Sequence, residues 1–153
     1  MSPSTSLTVA CLLIATSCSP PSPPTGSKFL TSFNPAAILS KVGGPDGITY
    51  SNPSTGESAG KEVFSGVRIN KSWTFSFQGS DAQLLAQLDR LRVEVKSQLS
   101  SSGCAIGASG DWSGDFSGFN FEYSLGGAKG FVRVTGVSFK SGRQGLDILV
   151  YEQ

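Results

Sequence analysis

The stretch from Ser80 to Gly103 commits the chain to an amphipathic helix, and the rest must supply a surface for that helix to cover. Ser80-Asp81-Ala82-Gln83 has the form of a capping box, in which the Ser80 hydroxyl and the Gln83 side chain satisfy backbone N–H groups at a helix start. Leu84, Leu88, Leu91, Val95 and Leu99 recur at spacings of three and four and make one apolar stripe. Gln87, Arg90, Glu94 and Gln98 take the other side, and Gly103 supplies the stop. Most of such a helix's stability comes from packing its stripe on a partner element.

The flanking sequence offers strands. Val63 to Ile69 is apolar enough for one, and Trp73, Phe75 and Phe77 alternate with Thr74, Ser76 and Gln78, the period of a half-buried strand. Beyond the helix come a short strand at Cys104–Ala108 and an alternating one through Phe119, Phe121, Tyr123 and Leu125. A hairpin connection at Gly126–Gly130 leads to a strand from Phe131 to Lys140. There Val132 and Val134 share one face while Val137 and Phe139 share the other, so a bulge at Gly136 is expected to turn both pairs to the core. Ser141–Gly145 turns the chain again, and Leu146, Ile148 and Val150 face inward on the last strand. The order β-α-β-β-β implies an α+β fold, a mostly antiparallel twisted sheet with helix 81–100 across one face. The other face is expected to be partly wet.

Ahead of this regular part the chain reads as looser. Phe29–Phe33 is expected to be a short strand. Asn34-Pro35 opens a helix that runs to Val42 and stops at Gly43. Gly44 to Gly60 is rich in Gly, Pro, Ser, Thr and Asn and reads as a long surface loop. One domain over 29–153, with a loose part at 29–61, is within the usual single-domain size.

The first residues report an address. Leu7–Thr16 is an apolar run of ten residues, closed by Ser17-Cys18 and followed by the Pro/Ser-rich segment Ser19–Ser27. Spanning a bilayer takes roughly 20 helical residues, whereas this length suits the core of a secretory signal. Ala15-Thr16-Ser17-Cys18 resembles the signal of bacterial lipoproteins. The resemblance implies cleavage before Cys18, removal of residues 1–17, and acylation of Cys18 at its sulfur and often its amino group. Two or three acyl chains hold a protein firmly where one holds it only marginally. Residues 18–28 would then be a semi-rigid tether. The implied partner is the membrane, and the implied place is the cell envelope, facing the periplasm or the exterior. Ala15-Thr16-Ser17 also suits an ordinary signal peptidase, which would yield a soluble secreted protein. With no Lys or Arg before Lys28, an uncleaved apolar helix is the third alternative.

Chemistry is sparse. The chain has no histidine, which removes Ser-His-Asp and Cys-His catalysis and the usual zinc ligand sets. Cys11 would leave with the signal, so Cys104 would be the sole thiol of a mature acylated chain. It reads as a small buried side chain rather than a nucleophile. If Cys18 were left free, a Cys18–Cys104 bridge would be open to it in an oxidising compartment. A formal charge of +1 without basic clusters gives no footing for nucleic acid.

One segment invites a functional hypothesis, the glycine-rich Gly107–Gly118, expected to be a loop that carries Asp111, Trp112, Asp115 and Phe116. Trp112 and Phe116 would make an apolar platform for an envelope protein or a glycan. The two aspartates would suit a calcium loop, but the spacing of known calcium loops and their bidentate glutamate are missing. The plain alternative is a hairpin loop whose aromatics fold back over the core. A hydrolase would need Asp111, Asp115 and Glu122 to converge. The leading expectation is a non-catalytic envelope lipoprotein with no cofactor and no metal. It would act as a binding or structural module, with a secreted binding protein and a hydrolase as the competing classes.

Overall fold

The computed structural model describes residues 26–43, 54–61 and 67–153. The expected signal segment with Cys18, the expected tether up to residue 25, and residues 44–53 and 62–66 lie outside the described residues. The chain is α+β. Its elements are α1 (Lys28–Ser32), α2 (Pro35–Val42), β1 (Ser54–Lys61), β2 (Val67–Gln78), α3 (Asp81–Ser101), β3 (Ala105–Trp112), β4 (Phe116–Leu125), β5 (Ala128–Ser138) and β6 (Arg143–Glu152). The described strands make a six-stranded antiparallel sheet in the order β1-β2-β6-β5-β4-β3. After β2 the chain runs along α3 to the far edge and then meanders back until β6 pairs with β2. Leu125 pairs with Ala128, so Gly126-Gly127 is a two-residue hairpin loop, with φ of +57° and +91° as a type I′ turn requires.

α3 is the helix that its spacing predicts. Ser80 Oγ accepts from the Gln83 backbone N–H at 3.3 Å, and Gln83 Oε1 accepts from that of Ser80 at 2.8 Å. Leu84, Leu88, Leu91, Val95 and Leu99 are all buried, in one core with Phe75 and Phe77 of β2 and Phe119 and Phe121 of β4. Val132 and Val134 of β5 and Leu146, Ile148 and Val150 of β6 complete the sheet's contribution. The helix approaches the sheet tightly at Gly136. A Cβ built there would lie 3.0 Å from a Leu88 methyl and 3.1 Å from a Leu84 methyl, so only glycine admits this approach without repacking.

Several expectations are corrected. Val67–Ile69, the described part of the expected Val63–Ile69 strand, and Trp73–Gln78 belong to one continuous strand, β2, whose register with β6 runs unbroken. Phe29–Phe33 does not form a strand. Lys28–Ser32 is helical, capped by Ser27, because burying Phe29, Leu30 and Phe33 together matches helical spacing. Ser27 and Lys28 therefore belong to the folded unit rather than to the tether. Nor is 29–61 uniformly loose, since Phe29, Leu30, Phe33, Ile38 and Leu39 enter the core. Within the expected 44–60 loop, Ser54–Lys61 is an edge strand paired to β2. Its composition hides it, because an edge strand can be held by main-chain bonds to a neighbour. Gln87 is fully buried rather than on the polar side. Three residues after Leu84, it shares the stripe, and its Nε2 donates to the Gly43 carbonyl at 2.8 Å, tying the end of α2 to α3. Finally, β5 has no bulge at Gly136. Its register with β4 and β6 is continuous, which leaves Val137 and Phe139 off the core face.

Leu88→Ala and Leu91→Ala are each expected to cost about 2–5 kcal/mol in denaturant unfolding, because both open a cavity under α3. Arg90→Ala, on the exposed side, should stay within about 0.5 kcal/mol. Equal losses from all three would contradict this placement of the helix.

Candidate functional site

The segment singled out in sequence does not act as one loop. Asp111 and Trp112 close β3, Phe116 opens β4, and only Ser113, Gly114 and Asp115 lie between the strands. The register pairs Asp111 with Phe119, a core residue, so Asp111 lies on the face that α3 covers. Its carboxylate is 3.1 Å from Arg92 Nη2, and the Arg92 guanidinium lies 5.4 Å from the Phe119 ring centroid. Asp111 thus holds an arginine that seals the core edge. Trp112 is half-buried, with its indole packed over Gly118. It borders a cleft of about 350 Å³ together with Leu85, Asp89 and Arg92.

Asp115 and Phe116 look elsewhere. They border a larger open cleft of about 1010 Å³, where the β3–β4 turn, the start of α3 and the β5–β6 turn meet. Phe116 pairs with Val137 on the face turned away from α3 and is 57% exposed. It also borders a smaller hollow of about 350 Å³ on the outer sheet face beside Thr74, Arg133 and Asp147. Across the cleft stands Phe139, 43% exposed, with the Arg143 guanidinium 5.0 Å from its ring centroid. Asp81, Ser138, Lys140 and Gln144 complete the wall. Asp81 Oδ1 accepts from the Ser138 hydroxyl and, at 3.3 Å, from Gln144 Nε2. That amide also donates to the Gly79 carbonyl at 2.9 Å, while Gln144 Oε1 is buried without a partner.

Sequence reasoning missed Asp81, Ser138, Phe139, Lys140 and Gln144 as neighbours of Asp115. The available signal was the parity of Phe139, which a straight strand sends to the outer face. The supposed bulge obscured it. The carboxylates considered for a hydrolase do not converge. Glu122 pairs with Phe131 and projects from the opposite face of the sheet from Asp111, three residues before it in register terms being the core Phe119. Among the described residues, no three His, Cys, Asp or Glu side chains gather as a metal site.

The opposite end of the sheet carries a buried polar cluster. Glu152 is 4% exposed and accepts from the Tyr123 hydroxyl at 2.7 Å, the Ser27 backbone N–H at 2.7 Å and the Ser27 hydroxyl. This carboxylate fastens the start of α1 to the end of β6. Burial, then the hydrogen bond to Glu152 and its negative charge, push the Tyr123 phenol far above its ordinary range. Burial, reinforced by the same charge, raises the Cys104 thiol, which is buried as the sequence suggests. A thiol so placed is a poor nucleophile. No protein-family model and no curated protein sequence matches the chain.

Two outcomes are expected. Trp112→Ala should cost about 2 kcal/mol in thermal unfolding, below the roughly 3–5 kcal/mol of a fully buried large aromatic. Tyr123 and Cys104 hold their protons more tightly folded than unfolded, so their contribution is complete below the ordinary thiol and phenol range and lost as pH rises through it. Denaturant midpoints measured from neutral to alkaline pH should fall for the parent. Tyr123→Phe should be less stable at neutral pH yet show a flatter alkaline decline, and an equally steep decline would contradict the assignment.

Proposed function

We propose that this protein is a non-catalytic binding module held at the cell envelope by acylation of Cys18, with its ligand surface in the cleft beside Asp115 and Phe116. The observation that carries the reading is the opposition of two ends. Ser27, where the tether gives way to α1, is bonded to Glu152 at the end of β6. Gln144, near the start of that strand, lines the cleft. β6 is ten extended residues long, about 30 Å from end to end at roughly 3.3 Å per residue. A chain fastened to a membrane at one end of the sheet would thus hold the cleft out toward its surroundings. The exposed Phe116 ring supports recognition, because an aromatic anchor on a rigid strand loses little conformational entropy on binding.

No described helix is long and apolar enough to cross a membrane. On the proposed reading, the acyl chains supply the membrane affinity. Cys18→Ser should therefore move the protein from the membrane to the soluble fraction. Intact mass of the membrane form should give an N-terminus at Cys18 carrying acyl groups. An unlipidated product cut after Ser17 would favour the secreted binding protein, and unchanged membrane partition of Cys18→Ser would sink the lipoprotein reading.

A further inference from the structure

The larger cleft has a chemistry that narrows its ligand. Its volume of about 1010 Å³ is at the upper end of the roughly 300–1,000 Å³ usual for small-molecule sites. Two large aromatic side chains, Phe116 and Phe139, stand exposed at its rim although such residues are normally withdrawn from water. Between them the lining is polar and carries two carboxylates, Asp81 and Asp115, against one ammonium, Lys140. The Asp115 carboxylate makes no ion pair among the described residues, and Asp81 has a second carboxylate oxygen beyond the one engaged by Ser138 and Gln144. In the wall, Gln144 is 1% exposed and its Oε1 has no partner.

Acceptors of this kind call for a ligand rich in hydroxyl donors, and exposed rings call for one with flat apolar C–H faces. A purely apolar ligand would strip water from the carboxylates without replacing it. An anionic one would meet the two carboxylates of Asp81 and Asp115 with only Lys140 to offset them. An extended peptide adding to the sheet would need an open strand edge, whereas the cleft lies at strand ends and the edges are β1 and β3. We propose that the cleft binds an uncharged saccharide, its pyranose faces on Phe116 and Phe139 and its hydroxyls donating to Asp115 and Asp81. This rests on the reading of the protein as an outward-facing binding module and names that module's ligand class.

The test is titration of the full-length chain carrying Cys18→Ser with chitotetraose, cellotetraose and maltotetraose at millimolar concentration, followed by amide NMR shifts. At least one sugar should shift the amides of Ser80, Asp115, Ser138 and Lys140. Phe116→Ala and Asp115→Ala should each weaken that binding tenfold or more at an unchanged melting temperature. Asp147→Ala, on the outer sheet face, should leave it intact. Absence of shifts with all three sugars, or binding indifferent to Phe116 and Asp115, would overturn the saccharide assignment. The membrane partition of the unsubstituted protein against Cys18→Ser is read separately. Loss of the saccharide result therefore leaves the tethered-module reading standing, and failure of the tether leaves the saccharide result standing.

Discussion

The packing of one apolar helix stripe on one face of the sheet organises the described molecule. α3 is the long helix among the described elements, and its five stripe residues bury against side chains from β2, β4, β5 and β6. Burial of a Leu or Val side chain contributes about 1.5–3 kcal/mol each, a large share of the roughly 5–15 kcal/mol by which domains are stable. Gly136 lets the helix settle close to β5, and the same contact explains why β5 stays straight. With Leu84 and Leu88 already over that strand, a bulge bringing Val137 inward would compete for occupied space. One consequence bears on the cleft. Val137 and Phe139 are left for the outer face and the cleft rim.

A second constraint fixes the molecule's polarity. A buried carboxylate is costly unless its oxygens are hydrogen-bonded, and Glu152 has three donors, from Tyr123 and from Ser27. Two of them come from the residue that caps α1, so satisfying the carboxylate also decides where the N-terminal part of the domain docks. The edge-on contact of Phe29 with Tyr123, centroids 4.8 Å apart, packs α1 against the same corner. The cleft is assembled at the other end of the sheet, from turns that the meander brings together. Anchoring and recognition, on the proposed reading, fall at opposite ends because β6 connects them.

The cleft itself shows how a small domain makes a surface without a dedicated loop. The β3–β4 turn is three residues long, and what it presents depends on the parity of the strands it joins. Asp111 is turned to the helix side and spent on Arg92, whereas Phe116 is turned outward. Two residues of similar promise in sequence thereby acquire different tasks. Asp81 links the β5–β6 region to the start of α3 through Ser138 and Gln144, so one wall of the cleft is braced by the same residue that opens the helix.

The sequence by itself determined α3 with its capping box and stripe, the inward faces of β2, β4 and β6, the helix α2, and the burial of Cys104. These rest on local periodicity and capping, which a few neighbouring residues are enough to specify. It also carries the segment that resembles a lipoprotein signal, which on the proposed reading is an address rather than part of the fold. Tertiary structure decided the rest. β1 has no apolar alternation and is held through its register with β2, and α1 is helical because Phe29, Leu30 and Phe33 find one core to share. Gln87 is buried because the end of α2 places a carbonyl where its amide can donate. The cleft was hidden for the same reason. Its residues come from positions 79 to 144, and only the pairing of β4 with β5 and the seat of α3 bring Asp81, Asp115, Phe116 and Phe139 to one place. Long-range register depends on which face the core claims, and no window of sequence contains both sides of that contact.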